Sequence, residues 1–175
     1  MLELLFIVAI MGILSGMAVL RIGASQPFLK GNGAMRVILS QVKTARELAI
    51  TQRRYMRVTF TNPNQVQIIR EEVPGPNTTV VSTTILEGGM QFALISSLPD
   101  TPDAFGKNAP VYFGAVTNVK FSPDGTLVNQ DGATANGSVF VALRSIEESA
   151  RAITVLGSTG RIRAYRWDGR IWKLV

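Results

Sequence analysis

The 175-residue chain contains no cysteine and no histidine. Those two absences exclude a thiol nucleophile, a histidine-based catalytic triad and a zinc site built from the usual ligands. Without cysteine there is also no disulfide framework, so composition is silent on the redox compartment. Acidic residues run short where the chain is most basic. Residues 151–175 hold Asp168 alone against Arg151, Arg161, Arg163, Arg166, Arg170 and Lys173, so +5 of the formal net charge of +6 sits there. Such concentration points to an anionic partner at that end. A pair of solvated strands whose arginines serve solubility accounts for it equally well.

Catalytic constellations are thin too. The carboxylate pairs Glu147-Glu148 and Asp100/Asp103 fall in expected turns, where solvated acids are ordinary. No Gly-rich phosphate loop follows a strand. The expectation is a protein without enzymatic activity, cofactor or metal. A membrane-anchored hydrolase is the competing reading, and a turnover screen separates the two.

What the chain does have is a long apolar start. Residues 1–20, MLELLFIVAIMGILSGMAVL, carry one charge, Glu3, and the run stops at Arg21. At about 1.5 Å per residue, a helix of this length matches the ~30 Å hydrocarbon core of a bilayer. No basic region precedes the run and no Ala-x-Ala site follows it, so a retained membrane helix is expected rather than a cleaved signal. A carboxylate inside such a helix costs on the order of 2.5–3.5 kcal/mol at the bilayer centre and less near a helix end. Glu3 is therefore a functional candidate. Gly12 and Gly16, with Ala9 and Ser15 nearby, form a small-residue stripe that lets helices approach closely in lipid.

After Arg21, Pro27, Gly31 and Gly33 should bend or loosen the helix. From Ala34 an amphipathic pattern resumes, with Met35, Ile38, Val42, Ala45 and Ala49 at three- and four-residue steps. The reading is a helix with a membrane half at 1–20 and an amphipathic half at 21–53. A β-rich head fills 54–175, where the period switches to two. Strands are expected at 55–60, 65–70, 78–86, 90–95, 111–116, 119–121, 126–128, 138–144, 151–156, 161–167 and 170–175. Asp168-Gly169 marks the hairpin before the last of them. The fold class is α+β, a long N-terminal helix packed on an antiparallel head.

Four pieces carry a family resemblance: the start Leu2-Glu3-Leu4-Leu5, the helix QVKTARELAI at 41–50, Phe121-Ser122-Pro123-Asp124-Gly125 and Gly160-Arg161-Ile162-Arg163. The first resembles type IV pilins in general. The other three resemble the GspH/FimT family of minor pilins and type II secretion pseudopilins. That resemblance implies a lollipop-shaped subunit, held in the inner membrane with a periplasmic head, that enters a filament through an assembly platform and other pilin subunits. It also implies prepilin-peptidase cleavage and N-methylation. The family's basic leader ending in Gly and then Phe-Thr does not precede Met1, and the expectation is that translation begins further upstream. In a stack of such subunits, Glu3 would be neutralised by a neighbour's N-terminal amine, which sets axial register.

On a regular strand, Arg161, Arg163, Tyr165 and Trp167 share one face, with Ile162 and Ala164 toward the core. Paired guanidiniums followed by aromatic rings suit phosphates and exposed bases. Gly160 permits the turn that presents Arg161, while Arg166, Arg170 and Lys173 widen the positive field. Gly160-Arg161-Ile162-Arg163 resembles the DNA-binding element of FimT-type minor pilins, which implies sequence-independent capture of double-stranded DNA. The alternative is a GspH-like minor pseudopilin of a type II secretion system, without DNA binding.

Overall fold

The computed structural model describes the backbone of residues 2–114 and 119–175, and the side chains of 3–16, 25–114 and 119–175. The first element is α1, Leu2–Gln52, a single helix of 51 residues that continues through Pro27, Gly31 and Gly33. At Gly31 the loosening expected is offset by packing. Gly31 is buried against the carbonyl oxygen of Ser149, which a Cβ would approach to 2.5 Å. Over the first half of α1, Leu4 to Leu14 project their apolar side chains outward, and Leu5 is 72% exposed. Among the described residues no helix is long and apolar enough to cross a membrane. The side chains of 17–24, which would complete the expected span, lie outside them.

Among the described residues eleven strands follow: β1 Met56–Thr61, β2 Gln65–Glu71, β3 Thr78–Ile85, β4 Gln91–Phe92, β5 Val111–Tyr112, β6 Val119–Phe121, β7 Leu127–Val128, β8 Gly137–Leu143, β9 Ile146–Leu156, β10 Arg161–Trp167 and β11 Trp172–Leu174. They form two antiparallel sheets, ordered β3-β2-β1-β6-β7 and β11-β10-β9-β8-β4, with β5 also paired to β8. Most expected strands are present. β9 begins five residues before the expected 151, and β4 is only two residues long.

The amphipathic stripe of α1 is the centre of the main core. Ala34, Met35, Ile38, Val42, Ala45 and Ala49 are all buried, against Val58, Val66 and Ile68 of one sheet and Val139, Ile153 and Val155 of the other. Strand alternation then sends the next residues the opposite way. Phe140, Ala152, Tyr165, Trp167 and Trp172 make a second, smaller core with Leu98 of the 93–110 segment. The second sheet is thus covered on both faces, by the helix and by that segment.

Candidate functional site

The basic C-terminal strand splits into parts with different fates. Arg161 is exposed and makes no ion pair among the described residues. Arg163 lies two residues further along and is already taken: its Nη1 pairs with Asp103 Oδ1 at 2.7 Å. Tyr165 is 3% exposed and Trp167 7%, so the stacking platform expected of them is not at the surface. Alternation places these residues on one face correctly, but the 93–110 segment covers that face. The Tyr165 hydroxyl donates to Asp103 Oδ2 at 2.8 Å, beside Thr154 Oγ1 at 2.6 Å.

Asp103 therefore differs from the solvated turn acid expected at that position. Burial would raise its pKa, but hydrogen bonds from Thr154, Tyr165 and Arg163 outweigh it and hold the carboxyl below the usual range. A carboxylate with a depressed folded pKa stabilises above its unfolded value near 3.9, and that contribution is lost as pH falls through the folded value. Asp103→Asn is expected to cost about 1–3 kcal/mol at pH 7. The deficit should narrow below about pH 4, as the parent loses the same charge. Urea unfolding of both proteins at pH 7 and pH 3 checks it.

Arg166, Arg170 and Lys173 lie toward the other end of the strand pair. By ~3.3 Å per residue, Arg166 stands roughly 17 Å from Arg161. The Arg166 guanidinium sits 5.3 Å from the Phe28 ring centroid, on the helix side of the sheet. Lys173 pairs with Asp168 at 2.7 Å, and Arg170 is exposed beside the β10–β11 turn. The six basic residues of this region do not make one patch.

Around Arg161 the geometry is different. Three of the segments that carry the family resemblance meet there. Arg46 of α1 donates from Nε to the Gly125 carbonyl at 3.0 Å and from Nη2 to the Thr159 carbonyl at 3.2 Å. Gly160, at φ +62°, packs directly on that same Gly125 carbonyl. Asp124 fixes the turn by accepting from the Ser122 hydroxyl, the Thr126 amide and the Thr126 hydroxyl, which pull its pKa down to about 2. Gly160 is thus part of a joint between helix and sheets. Beside the joint runs an open groove of about 500 Å³, lined by Lys43, Arg46, Glu47, Ile50 and Arg161.

The assembly candidates stand apart from all of this. Glu3 is exposed with no ion pair among the described residues, and nothing lies within 4 Å of a Cβ built on Gly12 or Gly16. Sequence pattern does not single out Arg46 or Arg151 as organising residues. A lone charge inside the small apolar stretch Ser149-Ala150-Arg151-Ala152-Ile153 is the available signal for the second.

No protein-family model matches the chain, and no curated protein matches it. Among solved structures it is similar to the type IV minor pilin FimU of Pseudomonas aeruginosa, with a TM-score of 0.50 at 13% identity. The match covers 75% of this chain and 84% of that one. The likeness establishes a type IV pilin-like α+β fold.

Proposed function

We propose that the chain is a structural, non-enzymatic subunit of a type IV pilus-like filament, in the GspH/FimT class of minor pilins and pseudopilins. The observation that carries this reading is the pilin-like fold with an apolar helical stalk that, among the described residues, stands exposed from Leu4 to Leu14. A contiguous apolar surface of this kind is kept only against lipid or another apolar surface. In this reading the stalk is held by the inner membrane before assembly and by neighbouring helices afterwards. Glu3 sets axial register, and Gly12 with Gly16 admits close helix approach.

Substituting Gly12→Leu and Gly16→Leu together should leave the folded head unchanged, since neither glycine touches it. Recovery of the chain in sheared filaments should fall at least tenfold, the ratio given by about 1.4 kcal/mol of lost packing. Immunoblots of filament and membrane fractions measure this, and undiminished recovery would count against the stalk as the assembly surface.

A narrower DNA reading is favoured by the groove that brings Lys43 and Arg161 together. Two phosphate contacts predict a slope of log K against log salt of about −1.8, with no sequence preference. Arg161→Ala should halve that slope in a titration with duplex DNA. Binding that ignores this substitution would remove the groove from consideration.

A further inference from the structure

Where α1 enters the head, a cleft of about 530 Å³ opens between Phe28, the start of β9 and the β10–β11 turn. Its charged groups are unevenly satisfied. Asp168 is occupied, pairing with Lys173 through Oδ2 and accepting the Arg170 and Ile171 amides on Oδ1. Glu147 accepts from the Ser97 hydroxyl. Glu148 and Arg166 line the same cleft, yet neither carboxylate nor guanidinium has an ionic partner among the described residues. Arg166 is also crowded by its own kind, since Arg151 and Arg166 flank the Phe28 ring at 5.0 and 5.3 Å. An anion beside Arg166 would relieve that repulsion.

The cleft's height along the stalk narrows the choice of ligand. Phe28 follows Arg21, where the apolar run stops, by seven residues, about 10 Å of helix. The headgroup layer extends about 5–8 Å beyond the hydrocarbon on each side. A helix tilted by the usual ~20° brings one side of the neck lower still. Exposed Leu29 and Ile171 border the neck as an apolar rim, suited to the boundary between headgroups and water.

We propose that this cleft binds the phosphoethanolamine headgroup of a membrane phospholipid, Arg166 taking the phosphodiester and Glu148 the primary ammonium. The inference rests on the membrane-borne reading of α1. Guanidinium pairs with phosphate through parallel N–H donors, and an ammonium with free protons donates to a carboxylate. A choline headgroup lacks those protons and a glycerol headgroup lacks the cation, so the cleft discriminates among the three.

The test uses the full chain, which is reconstituted in vesicles of equal phosphatidylethanolamine, phosphatidylcholine and phosphatidylglycerol. It is then extracted in mild detergent and weighed by native mass spectrometry. The unaltered chain should retain phosphatidylethanolamine roughly fivefold over the other two, the ratio a single exposed ion pair supplies. Glu148→Gln should equalise the ethanolamine and choline lipids. Arg166→Gln should lose all three adducts, and Arg166→Lys should restore them. Equal retention by the unaltered chain, or adducts that survive Arg166→Gln, would overturn the proposal. Flotation of the same vesicles after an alkaline wash separates the two levels of failure. A chain that does not float refutes the membrane-borne reading and this inference with it, whereas a floating chain without lipid preference refutes this inference alone.

Discussion

Replacing Arg151 with methionine is expected to lower the stability of the head by about 3–5 kcal/mol, because several buried acceptor oxygens lose their donor at once. Arg151 is fully buried on β9, facing α1. Its Nε donates to Asn32 Oδ1 at 2.9 Å and its Nη2 to the Phe28 carbonyl at 3.0 Å, both on the helix. Its Nη1 donates to the carbonyls of Glu148 and Ala150 at 2.9 and 2.7 Å. No carboxylate among the described residues neutralises it, and burial first, then the neighbouring charge of Arg166, pulls its pKa down to about 10. It therefore remains charged at neutral pH and is held by neutral oxygens and the face of the Phe28 ring. Methionine fills much of the volume but leaves those oxygens without donors, at about 1–3 kcal/mol for each one that water cannot reach. At ~2–4 °C per kcal/mol for a chain of this size, the melting temperature should fall by about 6–20 °C. Arg151→Lys should fall between, since one ammonium cannot span a fork of four acceptors. A loss below about 1 kcal/mol for the methionine variant would mean the neck is held by something else.

The second large effect is expected at Gly160. Alanine there should cost about 3 kcal/mol or more, for two separate reasons. The backbone stands at φ +62°, a region that costs an L-residue about 1–2 kcal/mol. The added Cβ would also collide with the Gly125 carbonyl oxygen and stand 2.6 Å from Arg46 Nε. That carbonyl cannot easily retreat, because Gly125 is itself at φ +83° and its oxygen accepts from Arg46. Arg161→Ala, one residue away, should change stability by less than about 0.5 kcal/mol, as an exposed side chain without an ionic partner. Thermal unfolding of the two variants thus separates adjacent residues that a motif treats as a unit. A tolerated Gly160→Ala would detach this glycine from the joint and return it to the role of presenting Arg161.

The contrast between these neighbours marks the boundary of what local sequence pattern encodes. The helical stripe from Ala34 to Ala49 is legible because a period near 3.6 is written directly into side-chain chemistry. Most strands are legible from alternation and from turn residues such as Asp168-Gly169. Alternation also places Arg163, Tyr165 and Trp167 on one face of β10, but it does not say which face is wet. That depends on 93–110, which sequence reads as the end of a strand expected at 90–95 and then a Pro-rich loop over 96–110, yet which brings Asp103 onto Arg163, Tyr165 and Thr154. Nor does local pattern reveal pairings across 60 residues or more, such as Arg46 with Gly125 or Arg151 with Phe28. The net positive charge of the last segment is plain in the sequence. Its division among a helix lock at Arg151, ion pairs at Arg163 and Lys173, a neck cleft at Arg166 and exposed guanidiniums at Arg161 and Arg170 is not, because strand direction carries Arg161 and Arg166 toward opposite ends of the head.

This division bears on function. A surface of clustered arginines with stacked rings would have argued for a nucleic-acid platform. What remains around Arg161 is a groove it shares with Lys43, Arg46 and Glu47. The larger unpartnered feature of the molecule is the stalk, and it carries the argument for assembly.

The most direct measurement of that account exploits the absence of cysteine. With Leu14→Cys as the only thiol in this chain, mild oxidation of a producing cell should yield disulfide-linked species containing it when a neighbouring pilin subunit also carries a stalk cysteine. Those species should appear in the sheared filament fraction and be lost when Glu3→Leu is added. A chain that stays uncross-linked and never enters that fraction, with Glu3 intact, would contradict the claim that this stalk is an assembly surface.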